Sequence, residues 1–411
     1  MTTNLAAPTD RAKEDGKIGC GTDFAAPMER AGQWMADPGY GVYVHIPFCR
    51  HRCHYCDFNT YTGLDALFDP YIDALVRSID ATDEPVRVAT SVFFGGGTPT
   101  LLAPRALGRV LDAIRGRVGI APDAEITVEA NPETVDEAAF ESLLRHGFNR
   151  FSIGVQSLAP HVLAGLGRTH SAERALEAVR AARRAGVVDL NLDLIFGSPW
   201  ESERDWTDTL ARAIDAGPDH VSAYSLIVEE GTPLHTLVAT GRVKDIDPDV
   251  QADRYLVADE LLAAAGYERY EVSNWCCSGR ASRHNLLYWS AGDYLGVGAG
   301  AHGHHAGRRY WCVRLPRDFI AAVKTGAPVV AGEETLDPDR RAGEALMLGL
   351  RLASGIHTES LVRRFGRAAL DRRRRALDEL SSLGLLEQAG SWMRVPRSST
   401  LVANEALCRL L

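Results

Sequence analysis

Strand-like and helix-like segments alternate from residue 40 to residue 230, and this alternation limits the fold more than any other feature of the chain. Six strands are predicted, at 42–47, 92–94, 125–130, 151–155, 190–195 and 221–227. Apolar residues at helical spacing predict helices that include 66–79, 104–117, 171–184 and 203–216. Strands separated by helices form parallel βαβ units with right-handed crossovers. Such units build either an open doubly wound sheet or a barrel, and periodicity does not choose between them.

The helix that follows the third strand has recognisable end signals. Thr134 and Glu137 fit a capping box, in which Thr134 accepts from the first-turn amides and Glu137 reaches back. Gly147 is expected to end this helix in the left-handed conformation.

Three cysteines lie within eight residues of one another, directly after the first strand. Cys49, Cys53 and Cys56 are expected on a loop, because a proline ends that strand at residue 47. Soft thiolate ligands select zinc, copper(I) or an iron–sulfur cluster. A structural zinc site needs four ligands, and His51 and His54 are candidates for the fourth. A four-iron, four-sulfur cluster held by three cysteines would leave one iron without a protein ligand, and the spacing alone leaves both sites open.

A glycine turn follows the second strand. The three glycines at 95–97 precede Thr98 and let the backbone approach a small polar ligand closely. Together with the C-x3-C-x2-C loop, which has Tyr55 before its last cysteine, this turn resembles the paired motifs of the radical S-adenosylmethionine (SAM) superfamily. The resemblance implies an incomplete six-stranded (β/α) barrel. It also makes the three cysteines the ligands of a 4Fe-4S cluster whose open iron binds SAM.

The resemblance further implies the chemistry and contacts of the site. One electron from the reduced cluster splits the sulfonium of SAM into methionine and a 5′-deoxyadenosyl radical. The positions that match SAM contacts of the superfamily are Tyr43, Tyr55, Gly97, Thr98, Glu129, Gln156, Arg168, Asp193 and Ser225. Tyr43 could instead be a core aromatic residue, Gly97 and Thr98 a tight turn, and Arg168 a solvated surface charge. Asp193 lies in an otherwise apolar strand, where a buried carboxylate needs a partner.

A closer resemblance, from about residue 40 onward, is to the oxygen-independent coproporphyrinogen III oxidase group, which has two branches. The decarboxylating oxidase carries a fourth cysteine two residues beyond the third, and this chain has Phe58 there. The radical SAM heme chaperones, the HemW type, carry an H-N-x-x-Y-W motif, which this chain has at residues 284–289. The chaperone branch is therefore the better match.

His284 opens that motif and is the first candidate for a residue that contacts heme. A neutral imidazole is a good axial ligand for heme iron, and aromatic neighbours pack on a porphyrin face. The alternative is that His284 and Asn285 form hydrogen bonds only to the backbone while Tyr288 and Trp289 fill a core. The histidines at 302, 304 and 305 lie in a glycine-rich segment and could bind metal, but they are expected to be mobile or structural.

Three further regions flank the predicted barrel at 39–230. Residues 1–38 predict a disordered leader, 231–330 an extension that carries the H-N-x-x-Y-W motif, and 331–411 a small winged-helix-like α+β domain. In the last region helices are expected at about 339–353, 358–365 and 367–382, before a two-stranded wing at 385–387 and 392–394. Four arginines at 372–375 could contact DNA phosphates, but consecutive helical residues point in nearly all directions, which favours a solvated helix.

Composition excludes several classes of protein. A chain of 411 residues with 45% hydrophobic content buries a sizeable core, and a net charge of −9 argues against a nucleic-acid partner. Eight unevenly placed cysteines do not form a secreted disulfide framework. With no signal-peptide pattern and no apolar run of transmembrane length, a cytoplasmic location is expected.

The sequence therefore predicts a cytoplasmic radical SAM protein that binds heme and transfers it to acceptor hemoproteins, respiratory ones among them. An electron donor for the cluster is implied, and membrane contact is expected only through an acceptor. Whether the protein is an enzyme stays open. The alternatives are an oxygen-independent coproporphyrinogen III oxidase of porphyrin biosynthesis and a zinc-stabilised interaction protein.

Overall fold

Six parallel strands, hydrogen-bonded to one another in chain order, form the centre of the molecule. The computed structural model describes residues 36–411. The strands are β1 (Tyr40–Ile46), β2 (Ala89–Gly96), β3 (Ile120–Ala130), β4 (Arg150–Gln156), β5 (Leu190–Phe196) and β6 (His220–Ser225). The helices between them are α1 (Phe68–Asp80), α2 (Pro104–Arg117), α3 (Glu137–His146), α4 (Pro160–Gly165), α5 (Ala172–Arg184) and α6 (Glu203–Asp215). The predicted parallel βα units are confirmed.

The alternation of side chains along these strands separates a covered face from an interior face. In β1, Val42, Val44 and Ile46 are fully buried in the main hydrophobic core, to which the helices also contribute. Tyr43 and His45 point the opposite way and line an internal cavity. Because successive residues of a strand face opposite sides, each strand packs its apolar residues against helices and turns its polar ones into the barrel.

The sheet continues beyond both edges of the six strands. The extension supplies α7 (Pro233–Ala239), α8 (Pro248–Ala264), β7 (Glu268–Arg269), β8 (Asn274–Cys276), α9 (Arg283–Trp289), β9 (Asp293–Val297), β10 (His302–His305), β11 (Arg308–Cys312), α10 (Pro316–Thr325) and β12 (Val330–Thr335). Strand β9 pairs in parallel with β1 and is followed by β10, β11 and β12, while β8 and β7 extend the sheet from β6. In the described residues the twelve-stranded order ends at β12 and β7. The curled sheet is thus an incomplete barrel.

The C-terminal region has a separate hydrophobic core. Its elements are α11 (Pro338–Gly349), β13 (Ile356–His357), α12 (Thr358–Phe365), α13 (Ala368–Asp371), α14 (Arg374–Ser382), β14 (Glu387–Ala389), β15 (Trp392–Arg394) and α15 (Ala403–Leu407). The wing has three strands rather than the predicted two, because β13 pairs with β15. The helix expected at 367–382 is interrupted between α13 and α14.

Arg373 lies at that interruption and corrects the prediction of a solvated arginine run. Its side chain is buried, and its guanidinium donates to the carbonyl of Leu410 at 2.6 Å and to Asp339 at 2.9 Å. Arg373 therefore ties α11 to the end of the chain, whereas its neighbour Arg372 is exposed.

Of the two end signals predicted for helix α3, the glycine at its end is confirmed and the capping box is not. Gly147 ends α3 at φ 100°, as predicted. The predicted capping box is wrong: the N-cap of α3 is Asp136, whose carboxylate accepts from the backbone N–H of Ala139. Thr134 belongs to a preceding turn and donates its hydroxyl to Asn131.

Two sequence predictions concern the N-terminal leader and membrane-spanning helices. Residues 1–35 of the predicted leader lie outside the described residues. Between residues 36 and 411, no helix is both long enough and apolar enough to cross a membrane.

Candidate functional site

The cysteine loop follows β1 and is fixed to the body of the protein at its middle. The backbone N–H of His54 donates to the carbonyl of Leu166 at 3.0 Å, and the His54 carbonyl accepts from Leu234 at 2.9 Å. The Nδ1 atom of His54 lies 3.0 Å from the carbonyl oxygen of Gly165. These contacts engage His54 within the protein and do not favour its alternative role as a zinc ligand.

Each thiol of the loop has a polar neighbour. The sulfur of Cys49 is 3.7 Å from the hydroxyl of Thr98, and that of Cys56 is 4.0 Å from Thr60 Oγ1. The guanidinium of Arg168 donates to the sulfur of Cys53 at 3.5 Å. Burial raises the pKa of Cys49 to about 11 in the metal-free protein.

No three His, Cys, Asp or Glu side chains within residues 36–411 meet closely enough to hold a single metal ion. An iron–sulfur cluster binds its thiolates through separate irons, so its cysteines do not have to converge on one point.

The glycine turn at the end of β2 lies directly against the cysteine loop. The backbone N–H groups of Gly97 and Thr98 each donate at 2.8 Å, to the carbonyls of Ile46 and Phe48 respectively. A Cβ atom on Gly97 would lie 2.6 Å from the oxygen of Phe48, so only glycine allows this approach. The turn thus holds the loop, and contact of Gly97 and Thr98 with SAM stays a prediction.

Glu129 is a buried carboxyl group at the centre of the site. The backbone N–H of Gly96, a residue with φ 116°, donates to Glu129 at 3.0 Å. Burial, with the charge of Asp193 nearby, raises the pKa of Glu129 to about 8. The carboxyl group is therefore neutral at pH 7 in the ligand-free protein.

Asp193 has the partners that a buried carboxylate requires. Ser152 donates to it at 2.6 Å and Asn191 donates at 2.8 Å. Burial nevertheless raises the pKa of Asp193. Gln156, at the end of the neighbouring strand, is buried and has φ 66°, a left-handed conformation that non-glycine residues seldom adopt and that often occurs at binding sites.

Arg168 is largely buried and is not the solvated surface charge of the alternative interpretation. Its guanidinium donates to the carbonyl of Gly154 at 2.9 Å as well as to Cys53. Its Nε is buried and has no hydrogen-bond partner in the part of the chain that the structure describes. Tyr55 packs against an apolar cluster that includes Leu166, whereas Ser225 ends β6 half-buried.

A cavity of about 490 Å³ opens beside these groups. Five of its thirteen lining residues are Phe, Tyr or Trp, and among them Phe58 is 64% exposed. The hydroxyl of Tyr43 is 2.9 Å from His45 Nδ1, so Tyr43 is part of a polar wall as well as packing on Phe93. The lining residues are Tyr43, His45, Phe58, Asn59, Gly96, Glu129, Tyr288, Tyr294, Gly300, His302, Trp311, Cys312 and Arg314.

His284 lies beneath this cavity and not on its wall. It is 1% exposed, with Nδ1 2.9 Å from the hydroxyl of Ser91 and Nε2 2.9 Å from that of Tyr288. Its ring stacks on Phe93, and burial lowers its pKa to about 3. These contacts agree with a structural role for His284, because both ring nitrogens form hydrogen bonds. The partners are side-chain hydroxyls and not the backbone. A role as heme ligand stays a prediction.

The sequence analysis missed two residues of the cavity wall. His302 and Arg314 lie at the ends of β10 and just beyond β11, and their spacing along the chain carries no site signal. The only signal for His302 was its place among the three histidines of a glycine-rich segment, and Arg314 had none.

Two family models match the chain. The radical SAM superfamily model covers residues 43–213, which include the three cysteines and all the candidate SAM residues except Ser225. A second model, the HemN C-terminal domain, covers residues 336–400.

Curated relatives match nearly the whole chain. The heme chaperone HemW of Mycobacterium tuberculosis is 40% identical over 94% of this chain and 98% of its own length. That of Escherichia coli is 34% identical, over 90% of this chain and 97% of its own. Among solved structures, the coproporphyrinogen III oxidase HemN of E. coli superposes with a TM-score of 0.78 at 21% identity, over 95% and 94% of the two chains. At that identity the last match establishes the fold alone.

Proposed function

The chain belongs to the family of the heme chaperone HemW within the radical SAM superfamily, and from this premise we propose that it binds heme and transfers it to acceptor hemoproteins. The observation that carries the proposal is the aromatic cavity beside the cysteine loop, because a flat apolar porphyrin needs such walls. The alternative, an oxygen-independent coproporphyrinogen III oxidase, has less support. Phe58 stands where that oxidase has its fourth cysteine.

The residues at the cysteine loop fit a 4Fe-4S cluster with three thiolate ligands. Cys49, Cys53 and Cys56 are the donors, and soft sulfur suits iron in such clusters. The guanidinium of Arg168 donates to the sulfur of Cys53, so a positive charge lies beside this donor. The loop leaves one iron open for SAM.

The same region fits SAM. When bound, the cluster and SAM supply a one-electron cleavage of the sulfonium. Glu129, held in place by Gly96, is an acceptor for hydroxyl groups, and the unpartnered Nε of Arg168 is a donor. Asp193 and Gln156 lie on the neighbouring strands β5 and β4, whose carboxyl ends meet at the same edge of the sheet. These residues would orient SAM.

The proposed function is tested by reconstituting the cluster without oxygen and then titrating the protein with hemin. We expect one hemin per chain and transfer to an apo-hemoprotein. In a parallel assay with SAM and a reductant, coproporphyrinogen III should stay unconverted, with the oxidase HemN as positive control. Formation of protoporphyrinogen would establish the alternative, and failure to bind hemin would contradict the chaperone function.

SAM binding is expected to release protons near pH 7. Glu129 is protonated there because its pKa is about 8 in the free protein. Hydrogen bonds from a ligand to the ionised carboxylate would lower that pKa, so binding would release up to one proton and SAM affinity would rise between pH 6 and about 8. Calorimetry in buffers of different ionisation enthalpy measures the number of protons.

The matched control for this measurement is Glu129→Gln, which keeps the shape of the side chain but has no carboxyl proton to release. The variant is expected to bind SAM more weakly and without proton release. An unchanged proton count in Glu129→Gln would assign the proton to another group.

We also propose a location, an electron donor and a class of acceptors for the protein. We place the protein in the cytoplasm, with an electron donor for its cluster and respiratory hemoproteins among its acceptors. Radical SAM chemistry then acts beside bound heme, since Glu129 belongs both to the proposed SAM site and to the cavity wall. Whether SAM cleavage accompanies each transfer decides whether the protein is also an enzyme.

A further inference from the structure

Three imidazoles lie on or next to the large cavity, and two of them are already engaged. His45 has Nδ1 2.9 Å from the hydroxyl of Tyr43 and Nε2 3.0 Å from the carbonyl oxygen of Asn59. His284 has both nitrogens hydrogen-bonded to side-chain hydroxyls and does not reach the cavity wall. A ring nitrogen that already has a protein partner must lose that partner before it binds a metal. Neither ring is therefore prepared to coordinate an iron in the cavity.

The third imidazole belongs to His302, and its contacts differ from those of the other two. It lies at the start of β10, is exposed, and lines the cavity. No hydrogen-bond or ion-pair partner holds its ring within residues 36–411. Its cross-strand neighbour is Trp311, whose ring centroid is 6.1 Å away. The contact with the indole ring positions the imidazole and leaves its nitrogens without a bond to the indole.

The rest of the wall matches the other parts of a heme molecule. The exposed ring of Phe58 lies on the cysteine-loop side of the cavity, and Tyr294 and Trp311 lie on the extension side. Arg314 lies on the wall too, exposed, and across residues 36–411 its guanidinium has no ion pair. Its backbone carbonyl is fixed by Asn59 and Tyr61, which tie the loop to the extension. A porphyrin has apolar faces and two carboxylates, which these groups complement.

We propose that His302 is the axial ligand of the heme iron in this cavity and that Arg314 binds a heme propionate. The assignment rests on the proposed function, since it names where the heme of that function is held. It differs from the sequence-based expectation for His284, which on this view shapes the cavity floor by orienting Tyr288.

The test is anaerobic titration with hemin of the cluster-loaded wild-type protein and of His302→Gly, His284→Ala and His161→Ala. His161 is the matched control, because it is an exposed histidine on α4 that pairs with Asp205. The readout is the additional nitrogen splitting that an imidazole opposite NO produces in the electron paramagnetic resonance spectrum of the ferrous nitrosyl heme, beyond the splitting from NO itself. We expect the splitting in wild type, His161→Ala and His284→Ala, and its loss in His302→Gly. Added free imidazole should restore it in His302→Gly, which a misfolded protein could not show.

A second variant tests the propionate contact. Arg314→Glu is expected to weaken hemin affinity about threefold to tenfold, while Arg317→Glu, an exposed arginine on α10, should not. Hemin bound by wild type with the splitting retained in His302→Gly would overturn the inference and leave the proposed function intact. Splitting lost in His284→Ala and kept in His302→Gly would assign the ligand to His284 and overturn it likewise. No hemin binding by wild type would instead overturn the proposed function itself.

Discussion

Replacement of Cys53 by serine is expected to abolish cluster binding. The hydroxyl is a hard, weakly acidic ligand in place of a soft thiolate, and it also removes the sulfur that Arg168 contacts at 3.5 Å. Iron content and visible absorbance after anaerobic reconstitution should fall nearly to zero, and SAM cleavage should be lost with them. Both quantities are measured on the same sample.

The control for this prediction is Cys408→Ser. Cys408 is an exposed free thiol at the other end of the chain, so its replacement should leave iron and SAM cleavage unchanged. If Cys53→Ser retained full iron content, the metal centre would have to lie elsewhere. Equal loss in both variants would point to oxidation damage during reconstitution.

Replacement of Arg150 by methionine is expected to lower the free energy of unfolding by about 3–5 kcal/mol. The arginine side chain is 3% exposed and donates to Asp189 at 2.5 Å, with Glu125 3.9 Å away. Methionine fills much of the volume but leaves the buried Glu125 without its cation, and it leaves the half-buried Asp189 with only Arg280, at 3.9 Å. Urea unfolding followed by circular dichroism measures the loss.

The effect of Arg150→Met should extend to the H-N-x-x-Y-W helix. Glu125 accepts from the backbone N–H groups of Arg283 and His284 at the start of α9, so its cation also secures that helix. The matched control is Arg109→Met, whose exposed pair with Asp73 at 2.7 Å should contribute only about 0–1 kcal/mol. Equal destabilisation of the two variants would contradict the proposed importance of the buried network.

The central fold was predictable because its signals are local. Each βα unit carries its own periodicity, and parallel strands joined by helices pair next to one another with few exceptions. Strand β9 was not predictable: its partner β1 lies some 250 residues earlier, and nothing in its five residues encodes that pairing. The error at Thr134 concerns a helix boundary: Thr134 belongs to a preceding turn, and the helix begins after Asp136.

The candidate site shows the same difference between local signals, which were predictable, and long-range contacts, which were not. The cysteine loop and the glycine turn are short motifs, so their mutual approach could be expected from the edge at which parallel strands end. The hydrogen bond at Nδ1 of His284 depends on Ser91, almost 200 residues away, and no sequence pattern shows it. The burial of Arg373 is also a tertiary property, because one arginine of four faces inward only where the helix breaks.

The fastening of His54 on both sides has a consequence for assembly. A zinc finger folds around its ion, and its thiols scatter when the ion leaves. Here two main-chain bonds and a ring contact hold the loop without any help from iron. We therefore expect iron and sulfide to enter a loop that the protein already positions, so that a cluster lost to oxygen is rebuilt in the folded chain.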